Sequence, residues 1–100
     1  MNDAKFTLEK ARELLKASKT AEGLIEQAAI FGAISVLIRQ LGVFFKDHAP
    51  HMSENIERLR WHSAAVLGYE TNNGNSSQDH YVWALGALGD LEDALGDVDH

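Results

Sequence analysis

Cysteine is absent from this 100-residue chain. Its absence excludes a disulfide framework, a thiolate zinc site and a cysteine nucleophile. The chain does not need such staples, because a hundred residues with 45% hydrophobic content can bury a core of their own. We therefore expect one domain over residues 1–100. The missing cysteines and the charged, periodic N-terminus, which is unlike a signal peptide, favour a cytoplasmic location.

Proline is nearly absent too, with Pro50 alone in the sequence. Few β-branched runs occur, and apolar residues recur at spacings of three and four, which predicts an all-α fold, a single compact bundle of about four helices. The predicted helices run from after Asn2 or Asp3 to about Ser18, from after Thr20 to Lys46 or Asp47, from a cap at Ser53 to about Tyr69, and from a cap at Ser76 or Ser77 through Val98, with Gly96 as an alternative end.

Long hydrophobic runs are also scarce. The most apolar stretch, Ala28–Ile38, is too short to cross a bilayer, which needs about 20 residues, so we expect no membrane partner. The predicted second helix around it is apolar on nearly all sides, which is typical of a central helix. Its small residues at four-residue spacing would also permit close approach of a second subunit, and charging Ile34 or Ile38 would then disrupt a homodimer.

Positive charge is missing from the last forty residues. All nine Lys and Arg residues lie in residues 1–60 beside eight acids, for a net charge of +1, whereas residues 61–100 carry seven acids, for a net charge of −7. Direct binding to nucleic acid is not expected, because it needs cations to neutralise phosphates. The asymmetry instead predicts a protein partner with a basic surface.

The acids are concentrated where a helix tolerates them least. Asp90, Glu92 and Asp93 fall in the last two turns of the fourth predicted helix, near carbonyls that already carry negative partial charge. Asp97 extends this group. At 100° per residue Asp90, Asp93 and Asp97 project within about 60° of one another, and Trp83 projects near Asp90. We expect these five residues to bind the partner, with Trp83 as the anchor. Two alternatives stay open: a solvated face that aids solubility, and neutralisation by Lys and Arg of the first two helices.

Catalytic and metal-binding motifs are absent. The sequence contains no G-x-S-x-G, Walker A or G-x-G-x-x-G, so we expect neither an enzyme nor a cofactor. Asp47, His48 and His51 are close in sequence but lie across a proline without a second tight pair, which favours surface histidines over a metal site. Trp61 is interpreted as either a second contact residue or a half-buried packing residue.

The segment GDLEDALGDVD and the cation-free last forty residues resemble small phage-encoded inhibitors of the anti-CRISPR type, many of which are short, acidic and poor in cysteine. This resemblance implies a bacterial target, a nuclease or nucleic-acid-guided complex whose basic groove is occupied. The expected function is therefore a small acidic protein-binding module, an inhibitor that docks a carboxylate-rich helix on a basic, nucleic-acid-binding surface. The alternative is an assembly module that forms a helical homodimer through its apolar second helix.

Overall fold

Four α-helices form the fold, as the sequence predicts. The computed structural model describes residues 3–71 and 73–98, with the backbone alone for Val98. No strand occurs within this part of the chain, and the all-α prediction is confirmed. Asn2, one of the two predicted caps of the first helix, lies outside the described residues. The helices are α1 (Asp3–Ser18), α2 (Gly23–His48), α3 (Ser53–Val66) and α4 (Ser77–Val98), with a 3₁₀ turn at Pro50–Met52.

The predicted break around Pro50 separates α2 from α3. The backbone N–H of Ala49 donates to the carbonyl of Phe45 at 2.8 Å and closes α2, and Pro50 then begins the 3₁₀ turn. The prediction that Ser53 caps α3 is wrong. The turn delivers Ser53 already in helical conformation, with φ −58° and ψ −35°, so Ser53 is the first residue of the helix.

Helix α3 ends earlier than predicted, at Val66 instead of Tyr69, because Gly68 adopts a positive φ of +84°. The N–H of Tyr69 donates to the carbonyl of Ala64 at 2.8 Å, and that of Gly68 donates to Ala65 at 3.2 Å. These two bonds make a Schellman motif, which satisfies terminal carbonyls and needs a residue that tolerates the left-handed conformation. The chain therefore turns back toward α2 at Tyr69.

Helix α4 begins with a reciprocal cap. The N–H of Asp79 donates to the hydroxyl of Ser76 at 3.1 Å, and the N–H of Ser76 donates to the carboxylate of Asp79 at 3.3 Å. The predicted cap at Ser76 is confirmed, and Asp79 is accounted for by this capping box. The alternative end at Gly96 is wrong, since α4 continues to Val98; Leu95, which is buried in the core, fixes the last turn beside Gly96.

The helices pack in a ring, in which α1 contacts α2, α2 contacts α3, α3 contacts α4 and α4 returns to α1. The contact between α3 and α4 is the most extensive. Each helix turns one apolar stripe inward, and the side chains that meet in the middle fill a single core. The largest fully buried members are Phe45, Leu8, Leu15, Leu41, Leu59, Leu88 and Leu91.

Helix α2 is not the central helix that its composition predicts. Its 26 residues span about 39 Å at 1.5 Å per residue, close to the 41 Å length of the molecule, but only one side of it packs on the core. On the outer side Leu24 and Ile25 are 82% and 89% exposed, and Val36 and Val43 are also exposed. The reason is geometric: three shorter helices cannot surround a helix of this length.

By length and composition alone, α2 is apolar enough to cross a membrane. Its most apolar 18-residue window has a mean hydropathy of 1.9, and 28% of that window is buried. Core helices of soluble proteins pass the same test, so this property by itself is weak evidence for a membrane span. The outer face of α2 is thus an apolar surface that the rest of the described chain leaves uncovered.

Candidate functional site

Three of the predicted carboxylates lie on one exposed face of α4. Asp90, Asp93 and Asp97 are exposed, and they project away from Leu91 and Leu95, which are buried. Within residues 3–71 and 73–98, neither Asp93 nor Asp97 has a cationic partner. We refer to Asp90, Asp93 and Asp97 as the acidic stripe.

Glu92 does not belong to this stripe. At 100° per residue it projects about 160° away from Asp90, toward α1. There its carboxylate forms a half-buried ion pair and hydrogen bond with the guanidinium of Arg12. Neutralisation by the first helix, one of the two alternatives that the sequence left open, therefore holds for Glu92. Its carboxylate joins α1 to α4.

Asp90 also has a contact within the molecule. The side-chain amide of Asn55 on α3 donates to the Asp90 carboxylate at 3.1 Å. This bond leaves the second carboxylate oxygen available to solvent or to a partner, because a carboxylate accepts up to about four hydrogen bonds. Asp90 is thereby held at the junction of α3 and α4, at the edge of a groove.

The groove between α3 and α4 brings Asp90 and Trp83 together. It has a volume of about 610 Å³, and Trp83, 44% exposed, lies seven residues before Asp90 on the same wall. Gly86 lies between them, and a Cβ built there would meet no atom within 4 Å, so the groove is open at this position. The residues that line it are Arg58, His62, Val82, Trp83, Gly86, Ala87 and Asp90. Arg58 is paired with Glu54 at 3.6 Å, which offsets its positive charge.

A histidine pair lies beside the groove, which is lined by one of its members, His62. His62 of α3 and His80 of α4 place their Nδ1 atoms 2.9 Å apart, so one ring donates a hydrogen bond to the other. His80 is fully buried, and the ring centroid of Trp83 is 5.3 Å from each imidazole. Burial lowers the pKa of His62, and the neighbouring charges of His80 and Arg58 lower it further. A neutral His62 can accept the hydrogen bond that the pair requires.

This pair was not predicted from the sequence, because eighteen residues and a loop separate the two histidines. Trp61, the other tryptophan, packs its ring 4.9 Å from His80 and is half-buried. The packing interpretation of Trp61 is therefore correct for that side of the ring. Together the two indoles enclose the two imidazoles.

The predicted surface histidines lie apart from this cluster. Asp47, His48 and His51 are exposed, and His48 stacks on Phe44 with ring centroids 4.4 Å apart. Among the described residues no group of three or more His, Asp or Glu side chains is placed to hold a metal ion. These histidines thus contribute to the surface where α2 ends.

Comparison with protein-family models, with curated proteins and with solved structures finds no match to this chain.

Proposed function

We propose that this protein is a small protein-binding module that docks the acidic stripe and Trp83 of α4 on a basic surface of a larger protein. One observation carries the proposal: three exposed carboxylates, none of them with a cationic partner in the described chain, lie beside a half-exposed indole on one face. Lys and Arg side chains of the partner would supply the positive charge that this half of the molecule lacks.

The energetics favour a role outside the monomer. Asp97 lies in the last turn of α4, where a negative charge costs about 0.3–1 kcal/mol. Asp93 is a like charge three residues from Asp90 and four from Asp97, and each such pair costs a few tenths of a kcal/mol more. A local rule broken without compensation inside the molecule is typical of a functional surface.

The charge density of the stripe resembles that of nucleic acid. Asp90 and Asp97 are about 10.5 Å apart along the helix axis at 1.5 Å per residue, which gives three charges in that length. One strand of B-DNA carries a charge about every 3.4 Å, so about four phosphates span the same length. This comparable row of negative charges supports the finer form of the proposal: the module occupies a nucleic-acid-binding groove of a nuclease or nucleic-acid-guided complex, as anti-CRISPR inhibitors do, and blocks it sterically.

The test is affinity capture from bacterial lysate with three baits. They are the wild type, a stripe variant (Asp90→Asn, Asp93→Asn and Asp97→Asn), and a matched control that removes three exposed acids elsewhere (Glu13→Gln, Glu22→Gln and Asp47→Asn). Both variants have the same net charge, so non-specific electrostatic capture affects them equally. We expect one partner to be retained by wild type and control at low salt, and lost with the stripe variant and at high salt.

Two glycine variants test whether the groove takes part. Gly86→Ala narrows the groove between Trp83 and Asp90, whereas Gly89→Ala lies outside its lining. Both should stabilise α4 by about 1 kcal/mol, so a difference in capture between them cannot come from stability. If the groove takes part in binding, only Gly86→Ala should weaken capture. The captured partner should also lose its binding to labelled DNA or RNA when wild type is added. Equal capture by the stripe variant and the matched control would contradict the proposal.

A second candidate function, assembly of a homodimer through α2, is favoured by the uncovered outer face of that helix. Ile25, Val36 and Val43 are exposed there, and an uncovered apolar face of this length marks an interaction surface. The predicted test residues Ile34 and Ile38 are wrong for this purpose. Both are buried in the monomer core, so charging either would unfold the chain.

The exposed position Val36 gives a cleaner test. If α2 forms a dimer, sedimentation of the wild type should give twice the monomer mass, and Val36→Lys should give a folded monomer with unchanged helicity. The exposed Gln40→Lys, one turn further on, adds the same charge without removing an apolar contact and serves as the control. If the wild type stays monomeric at high concentration, the assembly function is refuted. Retention of the protein on lipid vesicles would then indicate that a bilayer covers the apolar face of α2.

A further inference from the structure

A second cavity lies between α2 and α3, separate from the acidic stripe and its groove. It has a volume of about 320 Å³, at the lower end of the range of small-molecule sites. Its walls combine aromatic rings, two guanidinium groups and the hydroxyl-bearing residues Ser35, Ser63 and Tyr69. The residues that line it are Phe31, Ile34, Ser35, Ile38, Arg39, Arg60, Trp61, Ser63, Ala64, Tyr69 and Glu70.

The hydroxyl of Ser63 is the first observation that points to a ligand. Ser63 is 1% exposed, and its Oγ atom is buried without a hydrogen-bond partner. Leaving a buried hydroxyl unpaired is destabilising, and the large majority of such groups in proteins are hydrogen-bonded. Ser63 lies on the cavity wall, where a polar atom of a bound molecule would complete its hydrogen bonding.

The aromatic wall is the second observation. Phe31 of α2 and Tyr69 stack with ring centroids 4.2 Å apart and an interplanar angle of 13°. Tyr69 reaches α2 because the Schellman motif at Gly68 turns the chain back there. The indole of Trp61 contributes another ring to the same cavity. Flat apolar walls of this kind bind a planar ring.

The charge of the cavity is opposite to that of the protein. The chain has a net charge of −6, but Arg39 and Arg60 both line this space, with Glu70 as the one carboxylate. Arg60 is paired with Glu57, whereas Arg39 forms no ion pair among residues 3–71 and 73–98. Guanidinium groups bind carboxylates and phosphates through paired N–H donors, so the cavity is suited to an anion.

We propose that this cavity binds a small planar aromatic anion. The ring lies along the wall of Phe31, Tyr69 and Trp61, the anionic group accepts hydrogen bonds from Arg39 and Arg60, and Ser63 donates to a polar atom of the bound molecule. Glu70 accepts from a donor at the other end of the molecule, such as a phenol or an exocyclic amine. An aromatic carboxylate and a nucleoside monophosphate share this chemistry.

Binding is measured with two probes, 4-hydroxybenzoate and adenosine 5′-monophosphate, by fluorescence of the Trp83→Phe variant. In that variant Trp61 is the remaining tryptophan, so the signal comes from the cavity wall. We expect saturable binding of at least one probe, and the tighter probe identifies the class of anion. Adenosine and 4-hydroxybenzyl alcohol, which lack the anionic group, and inorganic phosphate, which lacks the ring, should each bind at least about tenfold more weakly.

Two substitutions and a matched control complete the test. Arg39→Gln should raise the Kd of the tighter probe about tenfold, whereas Arg58→Gln, an arginine of α3 that lines the other groove, should leave it unchanged. Ser63→Ala should weaken binding while keeping or raising the unfolding temperature, because the alanine removes an unpaired buried hydroxyl. A purely structural Ser63 would change stability without changing Kd.

The proposal fails if neither probe saturates the Trp61 signal at millimolar concentration. It also fails if Arg39→Gln and Arg58→Gln bind alike. Neither result bears on the acidic stripe, because no residue of the stripe lines this cavity.

Discussion

Removing the acidic stripe should make the protein more stable. The variant Asp90→Asn, Asp93→Asn and Asp97→Asn relieves one charge in the last turn of α4, worth about 0.3–1 kcal/mol, and two like-charge pairs, worth about 0.2–0.5 kcal/mol each. The sum is a gain of about 0.7–2 kcal/mol at low salt. The bond from Asn55 to position 90 survives, because the amide oxygen of asparagine can still accept it.

Removing the fourth carboxylate, that of Glu92, should make the protein less stable. Glu92→Gln breaks the half-buried ion pair with Arg12 and should lower the free energy of unfolding by about 0.5–1 kcal/mol. Urea denaturation followed by circular dichroism measures both, and each kcal/mol corresponds to about 4–8 °C in Tm for a domain of this size. A stripe variant that is equally or less stable than wild type, or a gain that persists at high salt, would refute the electrostatic reasoning.

Three further predictions concern the fold. The stability that neutral His62 contributes is fully present above its unfolded pKa of about 6.5 and is lost as the pH falls through the lower pKa of the folded state. The urea midpoint of the wild type should therefore drop between pH 7 and 5, and that of His62→Gln should drop less. An equal drop in both proteins would contradict this. Gly68→Ala should lower the free energy of unfolding by about 1–2 kcal/mol, because Gly68 has a positive φ, whereas Gly89→Ala in mid-helix should raise it by about 1 kcal/mol. A Tm that shifts in the same direction in both variants would contradict this pair of predictions. Leu88→Ala should lower the free energy of unfolding, measured by urea denaturation, by about 2–5 kcal/mol. Leu24→Ala, at an exposed site, should leave it nearly unchanged in the monomer, and a similar loss in both variants would mean that Leu24 is buried in an interface.

The helices were largely predictable because helix formation depends on neighbours within four residues. The spacing of apolar residues predicted all four, and the capping residues of α4 and the break at Pro50 were correct within a residue or two. The errors fall at helix ends. The Schellman motif at Gly68 ends α3 three residues before the predicted end, whereas Gly96 remains helical. The packing of adjacent residues decides whether a glycine ends a helix or lies within it.

The candidate site was predictable only in part. Helical angles predicted that Asp90, Asp93 and Asp97 share a face, and the structure has them exposed together. Neutralisation by the first two helices was left open as an alternative, but the sequence did not single out Glu92, because its partner Arg12 lies eighty residues away. The cavity between α2 and α3 also escaped detection, since its aromatic and cationic residues come from two helices and a turn, and no local motif joins them.

The sequence by itself determined the all-α class, the four helices and the separation of charge between residues 1–60 and 61–100, because each depends on composition or on contacts within a few residues. Tertiary structure alone decided which acids are paired, that His62 meets His80, and that α2 keeps one apolar face outside the core. The physical reason is that a helix apolar on nearly all sides does not specify which side is buried. That choice depends on the number and length of the helices that pack against it.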